Sequence, residues 1–262
     1  MFGVSVVAKR DVVISRDDNR DTDNVFIQTP CKRYVTLSKK IVGNFFMSKI
    51  TFILLFIASS LLAYEIQQTP IKFGEKRVEL TREYIKNHYG LNVENIKIVP
   101  KVVLVHYTAI EGFEKSLARF TSETLPNDRP EISKASALNV STHFMVERDG
   151  TIHQLMPLDF MARHVIGLNY SSIGIENVGG EGYVQDLTVE QLAANIFIVN
   201  FLKKKFPSIE YVVGHHEYRC FEKTDLWLEK DDGYRTKKYD PGEIFMQDLH
   251  ANIKGFKKAP CD

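Results

Sequence analysis

Apolar residues recur along the chain at two periods, and the predicted elements follow from them. Val102 to Val105 is a continuous apolar run, the pattern of a strand buried on both faces. Ser172 to Val178 reads as a second strand, with Glu176 set among apolar neighbours, and Tyr211 to Gly214 as a third. Thr142 to Glu147 and Thr151 to Leu155 flank Asp149-Gly150, which predicts a hairpin closed by a tight type I′ turn. Helical spacing governs other stretches. Val78 to Tyr89 predicts a helix stopped at Gly90, Phe113 to Phe120 a short one, and Gly242 to Phe256 a last one. The longest starts at Thr188, where Thr188 and Gln191 make a capping box and Leu187 and Leu192 a hydrophobic staple. Its apolar stripe is Leu192, Ile196, Val199, Leu202 and Phe206, and Lys203 to Lys205 suit the negative end of its dipole. Leu125 to Asn139, with Pro126 and Pro130, reads as an irregular surface loop. Alternating strands and helices with one hairpin give the α/β class: a single domain with a mixed central β-sheet flanked by helices.

Composition adds limits. With 262 residues, 44% of them apolar, the chain can fill the core of one domain and has length to spare. A net charge of +1, and no basic block interleaved with aromatics, argue against a nucleic-acid partner. The spare length is at the front. From Met47 the stretch MSKITFILLFIASSLLAYEIQ has the form of a signal peptide, with Lys49 ahead of an apolar run from Ile50 to Leu62 and small Ala63 at the cleavage position. The chain therefore divides into a front segment 1–46, a signal peptide 47–63 and a domain 64–262. Export to the periplasm or beyond is expected, with membrane contact only during export or through an uncleaved signal anchor. The polar front, which contains RDDNRDTDN, leaves two readings open. Either translation begins at Met47, or the apolar run is an uncleaved anchor whose Lys32, Arg33, Lys39, Lys40 and Lys49 stay inside. Of three cysteines, Cys31 falls in the front, so Cys220 and Cys261 are the two that an oxidising compartment can join, the alternative being two free thiols.

Candidate chemistry gathers where strands end. His106 closes the run VVLVHYT, and His215 and His216 follow the strand Tyr211 to Gly214. Side chains alternate faces along a strand, so only one of these two neighbours would face a common site. Asp240 lies on a loop before Pro241, with Lys238 two residues ahead of it. Two histidines and an aspartate form a ligand set for zinc, which in catalytic sites holds three protein ligands and keeps a fourth position open. Each residue also has a plainer reading. A lone histidine at a strand end is commonly structural, Asp240 serves equally as a helix N-cap, and Lys238 alone reads as a surface lysine. Glu176 is harder to dismiss, because a carboxylate within an apolar strand needs a partner or a task. His88, His143, His153, His164 and His250 carry weak signals one by one.

The stretches VVLVHYTA, NVSTHFMVERDGTIHQLMP, ARHVIGLNYSSIGIENVG, VVGHHEY and KKYDPGEIF, in that order, resemble the zinc-dependent N-acetylmuramoyl-L-alanine amidases of the AmpD/AmiD type. That superfamily includes the peptidoglycan recognition proteins, and the resemblance covers about residues 80–256. It implies a fold like theirs, one Zn2+ per chain and a peptidoglycan or muropeptide substrate. The implied zinc ligands are His106, His215 and Asp240, which resolves the choice against His216. Glu176 is implied as the general base and acid, and Lys238 as the stabiliser of the oxyanion. His164 falls where many members carry a Trp-His pair lining the groove, but Arg163 stands in place of the tryptophan. The step from His215 to Asp240 is also longer than in the smallest members and carries a loop with Cys220, Trp227 and Tyr234. The implied reaction is hydrolysis of the amide between the lactyl group of N-acetylmuramic acid and L-alanine. Two alternatives stay open: a peptidoglycan-binding module without activity, and a zinc peptidase cutting within the stem peptide.

Overall fold

The computed structural model describes residues 64–126 and 128–261, together with four short strands nearer the start. These strands, β1 (Val7–Ala8), β2 (Val12–Arg16), β3 (Asn24–Gln28) and β4 (Tyr34–Ser38), pair antiparallel in chain order as a sheet of their own. They belong to a unit spanning residues 1–63, separate from the domain at 64–262. The signal peptide 47–63, Cys31 and the five basic residues of the front lie outside the described residues.

The domain is built on a six-stranded mixed sheet. Its strands are β5 (Ile66–Gln68), β6 (Val102–Tyr107), β7 (Phe144–Val146), β8 (Ile152–Gln154), β9 (Ser172–Asn177) and β10 (Tyr211–Gly214), in the order β10-β6-β9-β7-β8-β5. Only β7 and β8, the predicted hairpin, run antiparallel. Its turn differs from expectation. The loop has three residues, Glu147 and Thr151 closing it, with Gly150 alone at positive φ (88°). A type I′ turn would also need Asp149 in that region, whereas a three-residue loop asks it only of its last position.

Five helices cover the sheet: α1 (Glu75–Tyr84), α2 (Phe113–Thr121), α3 (Pro130–Ser133), α4 (Val189–Lys205) and α5 (Glu243–Asn252). α1 runs on through a π turn, Ile85–Tyr89, to left-handed Gly90 (φ 67°), the stop that the sequence predicts. α3 lies inside the segment expected to be irregular, and α5 stops four residues short of Phe256. The capping box of α4 is formed: Thr188 Oγ1 accepts from the Gln191 amide at 3.1 Å, and Gln191 Oε1 from the Thr188 amide at 3.0 Å. The buried face of α4, however, is Gln191, Ala194, Asn195, Ile198, Val199 and Leu202, turned from the predicted stripe. Two polar residues sit inside that face because their side-chain amides find acceptors on the sheet. Gln191 donates to the carbonyls of Val146 and Val178, and Asn195 to Asn177 Oδ1 at 2.7 Å.

Strand parity decides what each face carries. Val103 and Val105 of β6, Ile173 and Ile175 of β9 and Val212 of β10 pack under α4 and α5. Val102, Leu104 and Val213 point the other way, into a cluster with Leu168, Tyr218, Phe221 and Tyr234. That second cluster contains residues of the long 217–237 loop, which a disulfide between Cys220 and Cys261 (Cα–Cα 4.8 Å) ties to the C-terminal end.

Candidate metal centre and active-site cleft

The register of the sheet assembles the site. His106 and Glu176 are direct partners across β6 and β9, and both follow the parity of Val102 and Leu104, away from α4 and α5. β10 stops at Gly214, opposite Val105, so His215 emerges beside His106. From there the chain turns into a short 3₁₀ segment, His215–Phe221. His215 and His216 are therefore not on the strand, and the alternation expected for them does not apply. Instead, the Asp240 carbonyl accepts from the His216 amide at 2.9 Å and lies 3.0 Å from His216 Nδ1. His216 thus grips the backbone of the loop that carries Asp240. Asp240 caps no helix, since the N-cap of α5 is Gly242.

Three ligand atoms converge. His106 Nδ1 lies 2.9 Å from His215 Nδ1 and 3.1 Å from Asp240 Oδ2, and His215 Nδ1 lies 2.9 Å from the same oxygen. All three residues are buried. Burial, with His106 adding to it, pushes His215 down to about 3 against the pull of Asp240. Burial alone would raise Asp240, yet facing His215 and His106 holds it well below the ordinary carboxylate range. A neutral imidazole and an ionised carboxylate are the states in which these groups bind a metal. Among the described residues this is the one group of three such donors close enough to share a cation. The set fits zinc, which takes imidazole and carboxylate ligands and sits about 2.0–2.2 Å from each.

Around this triangle the groups are less well paired. Glu176 is buried and its Oε2 has no hydrogen-bond partner. Burial pushes its carboxyl up to about 7, with His106 and Lys238 opposing and Asp240 adding to the rise. Lys238 is half-buried on the wall of the cleft, and burial lowers its pKa against the pull of Asp240 and Glu176. His164 lines the cleft but is also tied into the protein. Its Nδ1 lies 2.9 Å from His106 Nε2 and its Nε2 3.1 Å from Ser172 Oγ, so both ring nitrogens are engaged within the protein. It orients the ring of His106 from behind.

Other residues join the site without a strong signal in the sequence. Asn177 donates to the His106 carbonyl at 2.9 Å and is itself held by Asn195 from α4. Paired asparagines at inward positions of a strand and a helix are the one trace such an arrangement leaves. Arg163 is buried: its guanidinium donates to the carbonyls of Ser136, Leu138 and Ile132 and to Tyr234 Oη, and lies over the Tyr84 ring. It pins the α3 segment to the 217–237 loop. The two segments wall a cleft of about 770 Å³ that opens onto His106, Glu176 and Lys238. Arg129, just before α3, lines the same cleft.

The sequence profile of the N-acetylmuramoyl-L-alanine amidase family matches residues 96–243. The chain is 30% identical over 152 residues to the 1,6-anhydro-N-acetylmuramyl-L-alanine amidase AmpD of Salmonella typhimurium (strain SL1344), covering 53% of this chain and 79% of that protein. It is 34% identical over 118 residues to the AmpD of Citrobacter freundii, covering 41% of this chain and 62% of that one. Among solved structures, an AmpD derivative aligns over 74% of this chain and 96% of its own, at 23% identity and a TM-score of 0.46. With its family profile spanning more than half of the sequence, the chain belongs to the N-acetylmuramoyl-L-alanine amidase family, on the AmpD side of it.

Proposed function

We propose that this amidase is zinc-dependent and cleaves the bond between the lactyl group of N-acetylmuramic acid and L-alanine in peptidoglycan or its fragments. The observation that carries this reading is the buried triangle of His106 Nδ1, His215 Nδ1 and Asp240 Oδ2, with the unpaired carboxylate of Glu176 next to it. Three such acceptors facing one another at about 3 Å call for a cation between them. His106, His215 and Asp240 would hold it, with His164 and His216 fixing the orientation of the first and the third. When bound, zinc supplies a Lewis acid that polarises the amide carbonyl and acidifies a water.

Glu176 takes the proton of the attacking water as its oxygen bonds to the carbonyl carbon. A carboxyl poised near 7 by burial is suited to pass that proton on to the leaving nitrogen as the C–N bond breaks. The products are the lactyl carboxylate and the free amine of L-alanine. Lys238 offers positive charge to the oxygen that becomes anionic in between, a contribution of about 3 kcal/mol for one well-placed donor.

We also propose, from the signal-peptide pattern after Met47, that the domain works outside the cytoplasm, a reading that the Cys220–Cys261 disulfide supports. N-terminal sequencing of the native protein is then expected to begin near Tyr64. The mechanism is tested with Glu176→Gln. It should keep one zinc per chain by atomic emission while release of stem peptide from muropeptide, followed by mass spectrometry, falls by about 100-fold or more. Full activity in that variant would remove Glu176 from the mechanism. Wild-type protein that binds zinc and muropeptide but releases nothing would make the chain a binding module.

A further inference from the structure

Exposed aromatic rings are rare around this cleft, and two of them stand together at its rim. Tyr183 is 69% exposed and Tyr239 49%, their ring centroids are 5.6 Å apart, and both line the cleft that holds His106 and Glu176. The other tyrosines of the cleft wall, Tyr84, Tyr107 and Tyr234, are buried. Tyr239 lies between Lys238 and Asp240 in sequence, so its ring is carried by the same loop as the catalytic groups. Lys237 Nζ sits 5.0 Å from its centroid and adds a hydrogen-bond donor beside the pair.

The backbone under Tyr183 is held in an unfavourable conformation. Its φ is 65°, one of two positive values at non-glycine residues among those described, and it follows Gly182 at the same φ. Strain of this kind persists where the surroundings enforce it, and it gathers at binding sites. Here the surroundings are visible. Gly180 donates to Asp186 Oδ1 at 2.9 Å and lies so close to the Tyr107 ring that a Cβ there would stand 2.4 Å from it. Gln185 packs against Gly242, next to the Asp240-Pro241 step. The loop is seated on the site, yet it spends its strain on presenting an aromatic ring to solvent.

We propose that Tyr183 and Tyr239 form a saccharide subsite, their two rings, tilted 59° to one another, making an angled apolar wall in which one ring stacks on the C–H face of a pyranose of the substrate and the other meets its edge. The proposal rests on the amidase reading above, in which the substrate is a sugar carrying a peptide arm. A stem peptide is a chain of amides and carboxylates, which calls for hydrogen-bond and charge partners. A pyranose presents a flat C–H face with hydroxyls at its edge, and tyrosines with an amine alongside match both parts. With Arg163 withdrawn into the protein interior, this pair is what the cleft offers to the sugar.

Binding separates this role from catalysis. Zinc-loaded Glu176→Gln protein, which leaves substrate uncut, is titrated calorimetrically with a muramoyl-peptide and with the same peptide lacking the sugar. Adding Tyr183→Ala and Tyr239→Ala should weaken the muramoyl-peptide by roughly ten-fold while leaving the sugar-free peptide unchanged. Tyr183→Phe with Tyr239→Trp, which keeps both rings, should bind the muramoyl-peptide as before. Equal loss for both ligands, or no loss for the muramoyl-peptide, would overturn the subsite. Failure of the amidase reading shows elsewhere, as absence of cleavage by the protein with Glu176 intact.

Discussion

Two buried polar clusters lie within the domain, and they are built on opposite terms. In one, His88 Nδ1 meets both oxygens of Glu229 at 3.0 and 2.9 Å, its Nε2 lies 3.1 Å from the Ala135 carbonyl, and the Asp231 amide donates to Glu229. Arg163, close by, spends its terminal nitrogens on three carbonyls and a tyrosine hydroxyl. In the other, two imidazole nitrogens and a carboxylate oxygen crowd together, and Glu176 Oε2 has no partner. Burying a polar atom costs free energy unless it is paired. The first cluster recovers that cost within the chain and so holds loops in place. The second leaves it unrecovered, and that is the mark of groups kept for a ligand or a reaction. Buried polarity alone does not single out an active site, and neither does one unpaired atom, since Arg77, Tyr89 and His250 also bury one; an unpaired carboxylate oxygen beside three converging ligand atoms is the stronger pointer.

The comparison can be broken from either side. Replacing His106, His215 or Asp240 by alanine should have the largest effect, with zinc content and amide hydrolysis lost together and the fold retained. Retained activity without zinc would place the chemistry elsewhere. Glu229→Ala should do the reverse. Leaving His88 buried without its partner is expected to cost about 3–5 kcal/mol in urea unfolding, with zinc still bound at saturating metal. A variant as stable as wild type would show that the pair holds nothing.

Glu176 separates the clusters by pH. Its folded pKa of about 7 lies above the ordinary value of 4.5, so below pH 4.5 the group is neutral both folded and unfolded. As pH rises through 7 the folded state must carry an unpaired buried charge, and stability is lost. Metal-free Glu176→Gln should therefore match wild type near pH 4.5 and exceed it by about 2–3 kcal/mol near pH 8. An equal pH profile for the two would mean that the carboxylate is satisfied after all. The smallest effect is expected at His216. Its ring reaches the ligand only through the backbone carbonyl of Asp240, so His216→Ala should weaken zinc about ten-fold, read by competition with a chelating dye. An unchanged affinity would remove His216 from the support of the ligand.

Much of the site was legible because each of its residues sits where a pattern ends. His106 closes an apolar run, Glu176 interrupts another, and Asp240 and Lys238 precede the last helix. The supports were not legible. Arg163 next to His164 reads only as the replacement of a groove-lining tryptophan, and nothing local announces that carbonyls from residues 132–138 wait to receive it. The face of α4 was misread for the same reason. Gln191 and Asn195 count as polar in any periodicity, but their partners are sheet groups distant in sequence. His216 was expected on the far face of a strand that in fact ends two residues earlier.

Residue types and their periods by themselves determined the α/β class, the sheet strands that matter and the capping of α4, because these depend on local spacing, whereas the proposed ligand and acid–base set came from the resemblance. Which groups are satisfied was decided only by the tertiary structure. Register sets His106 against Glu176, the turn after β10 hands His215 to the site and His216 to a backbone carbonyl, and loop packing withdraws Arg163 while exposing Tyr183. Hydrogen bonds form between atoms about 3 Å apart in space, and sequence distance carries no record of that.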